Sequence, residues 1–241
     1  MGQSDEVTLD DFKEIYGSDT LYHFVGFDNP MLYTAHKVSG AMTSLYRQLG
    51  IGCERLVRKV LQDELALTDE QVNWSYEIVN PANPSKKKTL YLDGRIVFSD
   101  VEDATKRRRI KQWAAEQATE MGISQDIEGV VFEVRQGYKS ADSKRQNGDL
   151  QNAKFALESN YLMCVMVLSN QINQTVEARY INAGIPVLRG NDSGDPASDT
   201  FAFFKEIIGC DLSSCLKEQS SYMASKVEEV LTSLLDIKAD D

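Results

Sequence analysis

Glu133 stands in the run Val130-Val131-Phe132-Glu133-Val134, one acid among apolar residues. A carboxylate on a mostly buried strand is costly unless it is paired or bound to a metal. Asp126 lies seven residues earlier, just ahead of the apolar run. Two carboxylates that converge on one point can hold Mg2+, which takes oxygen ligands and keeps several waters. Such an ion activates a water and stabilises charge on a phosphate undergoing in-line displacement. Immediately downstream come Arg135, Lys139, Lys144 and Arg145, cations suited to holding a phosphate or steadying an attacking hydroxide. Gln136, Ser140, Ser143, Gln146 and Asn147 add neutral hydrogen-bonding groups. Gln and Asn can read adenine in the major groove and Arg can read guanine. Ser140, Arg145, Gln146 and Asn147 are therefore expected to contact DNA. One short segment then supplies candidate metal ligands, phosphate contacts and base readers. Arg107 and Arg108, in the basic run from Lys106 to Lys111, are further candidate DNA contacts, although such a run is more often a solvated helix face.

The elements that must position these residues follow from periodicity. Residues 1–36 read as a polar lead-in with few periodic signals. Ser39 to Ala66 reads as a long amphipathic helix, with Leu45, Leu49, Cys53, Leu56, Val60 and Leu61 at spacings of three and four. Gly50 and Gly52 mark a kink or close packing within it. Thr68 and Gln71 fit a capping box. Val72 to Val79 alternates as a strand. Thr89 to Phe98, with Asp93-Gly94 between apolar alternations, reads as a hairpin. Asp103 to Met121 is expected to be a helix stopped by Gly122. Val130 to Gln136 should be a strand, Asp142 to Leu157 a helix, and Tyr161 to Leu168, apolar on both faces, an interior strand. A helix over Gln171 to Ala183, a strand over Ile185 to Leu188, and helices over Thr200 to Ile208 and Ser221 to Leu235 follow. This order predicts an α/β fold with a central mixed β-sheet flanked by helices. It predicts a single domain over 1–241, with 1–36 as an N-terminal extension and roughly 120–190 as the core of the site.

A strand bearing Glu-x-(Lys or a substitute), then a helix, then an apolar interior strand, resembles the core of the PD-(D/E)XK nucleases. In VVFEVRQ, Glu133 matches the strand acid and Arg135 stands where that family usually has lysine. This departure leaves the lysine's work to Lys139 or Lys144. The acid preceding the strand is Asp126, Asp93 or Asp100, and Glu54 in RQLGIGCERLVRK matches a glutamate found on a helix of that core. The resemblance covers residues 120–190 and, more loosely, 40–65. It implies a restriction-endonuclease-like fold and a Mg2+-dependent endodeoxyribonuclease that hydrolyses double-stranded DNA, similar to a type II restriction enzyme acting as a homodimer. A structure-specific or repair nuclease on the same core is the second reading. A non-enzymatic acidic DNA mimic is the third, and it predicts carboxylates spread over exposed faces.

Composition narrows the field. Net charge is −11 over 241 residues, which argues against a sequence-blind DNA binder, because phosphate affinity comes from Lys and Arg. A local basic groove on an acidic body remains compatible with DNA. Of the four cysteines, Cys53 and Cys164 sit in apolar patterns, and Cys210 and Cys215 form a C-x4-C pair without nearby histidine, so reduced thiols are expected rather than zinc. His23 and His36 are the only histidines, which disfavours histidine catalysis. No G-x-S-x-G, Walker A or G-x-G-x-x-G motif is present, so hydrolase triads and nucleotide cofactors are disfavoured. No apolar run approaches a membrane span. The acidic start MGQSDEVTLDDF lacks the regions of a signal peptide, and a cytoplasmic protein without membrane partners is expected.

Overall fold

Helical periodicity in the first quarter of the chain extends further than its apolar face alone indicates. In the computed structural model, which describes residues 9–24, 29–80, 83–138, 143–191 and 193–235, helices α1 (Leu9–Ser18) and α2 (Thr20–Phe24) occupy the expected lead-in. Helix α3 runs over Pro30–Leu65, starting nine residues before the expected Ser39. Pro30 suits a helix start because its missing N–H would be unsatisfied there anyway. The helix continues through Gly50 and Gly52, and a Cβ at either position would meet nothing within 4 Å, so neither glycine serves close packing.

The chain divides into two compact units, residues 49–219 and residues 1–48 with 220–241. The smaller unit holds α1, α2, the first half of α3 and α10 (Ser220–Leu235), whose Tyr222, Met223, Val227 and Val230 are exposed. Everything below concerns the larger unit.

There, α4 (Asp69–Val72) opens on the expected capping box, Thr68 accepting from the Gln71 amide and the Gln71 side chain accepting from the Thr68 amide. Strands β1 (Trp74–Asn80) and β2 (Asn83–Leu92) form an antiparallel two-stranded sheet. Strand β3 (Gly94–Val97) leaves that pair and joins a second sheet of order β3-β4-β5-β6 with β4 (Gly129–Arg135), β5 (Tyr161–Val167) and β6 (Val187–Leu188). The β3–β4 pair is antiparallel, and β4, β5 and β6 are mutually parallel. The expected α/β class with a mixed sheet and flanking helices is therefore present.

The expected hairpin over Thr89 to Phe98 is not. Leu92 pairs with Trp74 in one sheet and Gly94 with Phe132 in the other. Asp93 is the hinge between two sheets instead of the first residue of a two-residue turn. The physical reason lies in burial. Ile96 and Phe98 enter the main core beside Val130 and Phe132, and that gain outweighs a local turn preference.

Helix α5 (Ala104–Glu120) is capped by the Asp103 carboxylate, and α6 (Ser143–Glu158) and α7 (Gln174–Asn182) connect the parallel strands. The helix expected over Thr200 to Ile208 begins as α8 (Thr200–Ala202) and continues as a π-helical turn over Phe203–Ile208; α9 (Leu212–Glu218), unexpected from the sequence, follows. Alternation along β4 separates two cores. Val130, Phe132 and Val134 pack with Val57, Leu61, Ile110 and Trp113 from α3 and α5. Val131 faces the opposite core with Val165, Val167, Val176 and Tyr180. Glu133 and Arg135 share the Val131 face.

Candidate functional site

Placing two charged residues on the inner side of a parallel strand demands partners. Glu133 is 7 % exposed, and the Arg135 side chain is 15 % exposed. They are two positions apart on one face, so the guanidinium can fold back over its own strand, and Arg135 Nη2 is paired with the Glu133 carboxylate. The same Nη2 lies 3.2 Å from Asp149 Oδ1, and Nη1 lies 3.8 Å from Asp93 Oδ2. Three carboxylates thus surround one guanidinium, whose Nε is buried and has no hydrogen-bond partner among the described residues.

Each acid arrives by a different route. Asp93 stands at the hinge between β2 and β3. Its amide donates to the Phe132 carbonyl at 2.9 Å, its carboxylate accepts from the Val134 amide at 2.8 Å, and its carbonyl accepts from Arg58 at 3.0 Å. Asp149 projects from the buried side of α6, shared with Gln146 and Ala156. Its Oδ2 accepts a 2.6 Å bond from the Tyr180 hydroxyl, which lies 3.1 Å from that of Tyr138. Glu54, on α3, is half-buried and within charge range of Asp93, Arg58, Arg135 and Arg145.

The electrostatics follow from this crowding. Burial pushes the Glu133 carboxyl up to about 8, Asp93 and Asp149 add to the push, and Arg135 opposes it. Burial also raises Asp93, Asp149 and Glu54 above their ordinary values. Arg135 counters each of these shifts, Arg58 acts on Glu54 and Asp93, and Arg145 acts on Glu54 and Asp149. Four carboxyls therefore face three guanidinium groups. Hard oxygen donors grouped this closely are the donor type a divalent cation takes. Among the described residues no three His, Cys, Asp or Glu side chains already converge as a metal cage; the Arg135 guanidinium lies among the oxygens.

The expected site residues divide accordingly. Glu133, Arg135 and Glu54 come together. Asp126 does not join them. It is exposed in the loop before β4, beside Phe98, Lys111 and Ile127, whereas Glu133 lies four residues into the strand, roughly 13 Å further along. Asp100 also falls at that far end, because β3 runs antiparallel to β4 and Val97 pairs with Gly129. Asp93 takes the position expected of Asp126.

Lys144 and Arg145 are exposed in the first turn of α6, while Lys139 and Ser140 lie outside the described residues. Gln146 is buried and its amide oxygen accepts from Arg179 at 2.8 Å; the exposed Asn147 accepts from the same guanidinium at 2.7 Å. Arg107 donates to the Val101 carbonyl at 2.8 Å, and Arg108 is exposed. Both sit on α5, which packs on the sheet face opposite Glu133 and Arg135.

Asp149, Tyr180, Tyr138, Arg58 and Arg179 were not anticipated. One signal for Asp149 exists in the sequence. Gln146, Asp149, Ala153 and Ala156 recur at spacings of three and four, which places two polar residues on the inward stripe of α6.

Comparison with family models, curated proteins and solved structures returned no match.

Proposed function

We propose that the Arg135 cluster is the catalytic centre of a divalent-metal-dependent endodeoxyribonuclease. The observation that carries this reading is the Asp93–Glu133 pair, a half-buried and a buried carboxylate from different chain segments, one tied to the backbone beside the other. A strand acid, an acid from a preceding bend and a glutamate on an α-helix form the donor set that the sequence resemblance implies, with Asp93 in place of Asp126. Asp93 and Glu133 are the residues that would hold Mg2+, with Glu54 beside them. Such an ion, when bound, supplies an activated water and neutralises charge on the phosphate.

The remaining work falls to the chain's own side chains. Arg135 stays protonated at every working pH, so it holds a phosphate oxygen and cannot serve as a general base. Lys144 and Arg145, exposed at the start of α6, offer cationic contacts to a DNA backbone, and Arg145 acts on two of the four carboxyls. Buried acids also fit this reading better than that of an acidic DNA mimic, which needs its carboxylates on open faces.

The test is to incubate the full chain with long mixed-sequence duplex DNA and Mg2+ or Mn2+ and to sequence the fragment ends. Ends that share one sequence support a restriction-type enzyme, for which a homodimer on a two-fold symmetric site is the natural assembly. Ends clustered at branches, flaps or lesions support the second reading, a structure-specific or repair nuclease. No cleavage of linear, branched or single-stranded DNA, beyond that seen with Glu133→Gln, removes both.

A further inference from the structure

Resting on the metal-site reading above, we infer that Arg135 is the site's own exchangeable counter-ion, so that a divalent cation and the Arg135 guanidinium compete for the same carboxylates. The guanidinium lies within ion-pair distance of Glu133, Asp149 and Asp93 at once. Glu133 is nearly inaccessible, so a cation arriving at its carboxylate has to displace the group already paired with it. Two other guanidinium groups among the described residues stand differently. Arg58 reaches the cluster through the Asp93 carbonyl rather than a carboxylate, and Arg145 is exposed.

Two features favour release of the guanidinium. Its Nε is buried without a hydrogen-bond partner among the described residues, so the resting position leaves one donor unsatisfied there, which a planar fork bound fully on both edges would not. In addition, Arg135 is the last residue of β4, so its side chain can turn past the strand end without crossing the sheet. A phosphate diester is the natural acceptor for a displaced guanidinium, because its oxygens match the fork bidentately.

The consequence is a coupling. An anion that draws Arg135 outward vacates the carboxylates and strengthens cation binding; by linkage, cation binding strengthens anion binding equally. The metal site would then be weak in the free protein and completed by substrate.

The experiment titrates Ca2+ into metal-free full-length protein by calorimetry, comparing wild type with Arg135→Gln, Arg135→Lys and Arg58→Gln, with thermal melts to verify folding. Arg135→Gln should bind Ca2+ at least tenfold more tightly than wild type. Arg58→Gln, which removes a charge without vacating the carboxylates, should change affinity less than threefold. Equal gains from both substitutions would mean simple charge counting and overturn the inference. So would an Arg135→Gln protein that binds more weakly than wild type; the metal-site reading would survive that result. No Ca2+, Mg2+ or Mn2+ binding by any folded variant would remove the reading and the inference together. Should Arg135→Gln fail to fold, wild type decides, set beside Arg135→Lys. Its Ca2+ affinity should rise at least tenfold when a short duplex is present, by more than in Arg135→Lys, and an unchanged affinity overturns the coupling.

Discussion

The Asp93 carboxylate accepts a hydrogen bond from the Val134 amide at 2.8 Å, which fixes an acid from the hinge between the two sheets against β4. That bond sets Asp93 beside Glu133 although the two are 40 residues apart in sequence. On the proposed reading it makes Asp93, not Asp126, the acid partnered with Glu133. Asp93→Asn keeps an oxygen to accept the Val134 amide while removing the charge. If the proposed nuclease reading holds, it should retain its fold and lose DNA cleavage by orders of magnitude, because losing a metal ligand raises the barrier by several kcal/mol. Asp126→Asn should cleave within about twofold of wild type, as surface substitutions away from a site usually do little. Initial rates on one duplex substrate decide the matter; if Asp126→Asn were the inactive protein and Asp93→Asn the active one, the pairing of acids would be wrong.

Stability should fall as pH rises. Glu133 is held up to about 8 in the folded chain, against roughly 4.3 when unfolded. Between those values the folded state binds more protons than the unfolded state, so unfolding free energy declines with pH across that window. Asp93, Asp149 and Glu54 are shifted in the same direction. Thermal melts of metal-free protein from pH 5 to pH 9 should therefore show a falling Tm. Glu133→Gln, neutral at every pH, should flatten the profile, melting higher than wild type near pH 8.5 and gaining at most a few kcal/mol of stability there. A wild-type Tm that climbs over this range would mean that Arg135 outweighs burial.

Much of this arrangement was legible in the sequence, and the gaps have physical causes. The strand through Glu133, the helix after it and the interior strand beyond are local patterns, and each is present within two residues of its expected bounds at β4 and β5. The Glu133–Arg135 proximity follows from strand alternation alone. The Asp93 position does not. Asp93 and Gly94 together carry a strong turn signal, and only long-range burial of Ile96 and Phe98 shows that the two strands part. Asp149 was hidden for a related reason. A polar residue on a helix reads as solvent-facing until the packing partner, here Arg135, is known. Tyr180, from the helix after β5, belongs to contacts that no spacing rule encodes.

Tyr180 should hold Asp149 in place. Its hydroxyl donates to Asp149 at 2.6 Å in a buried setting. Tyr180→Phe removes the donor and leaves the ring, so the cavity stays filled and the Asp149 oxygen loses a partner. The expected cost is about 1–3 kcal/mol, that of an unsatisfied buried group. Urea unfolding measures it, and an unchanged midpoint would show that solvent or Tyr138 replaces the bond.

The start of α6 offers the last prediction, because it separates DNA reading from internal structure. Gln146 and Asn147 both accept from Arg179, so one guanidinium clamps α7 to two side chains that the sequence marks as base readers. Gln146 is buried and cannot meet a base edge without breaking that clamp. Asn147 is exposed and can exchange its partner for a base. Asn147→Ala should therefore weaken binding to a preferred sequence by about 1–3 kcal/mol while leaving random-sequence affinity nearly unchanged. Lys144→Ala should weaken both equally and reduce the salt slope by about one. Gln146→Ala should instead lower stability, since Arg179 would lose a partner in a half-buried position, and should affect DNA only through folding. Fluorescence anisotropy at several salt concentrations, run beside thermal melts, separates the three. Loss of discrimination by Gln146→Ala at unchanged stability would show that the Arg179 clamp opens on DNA.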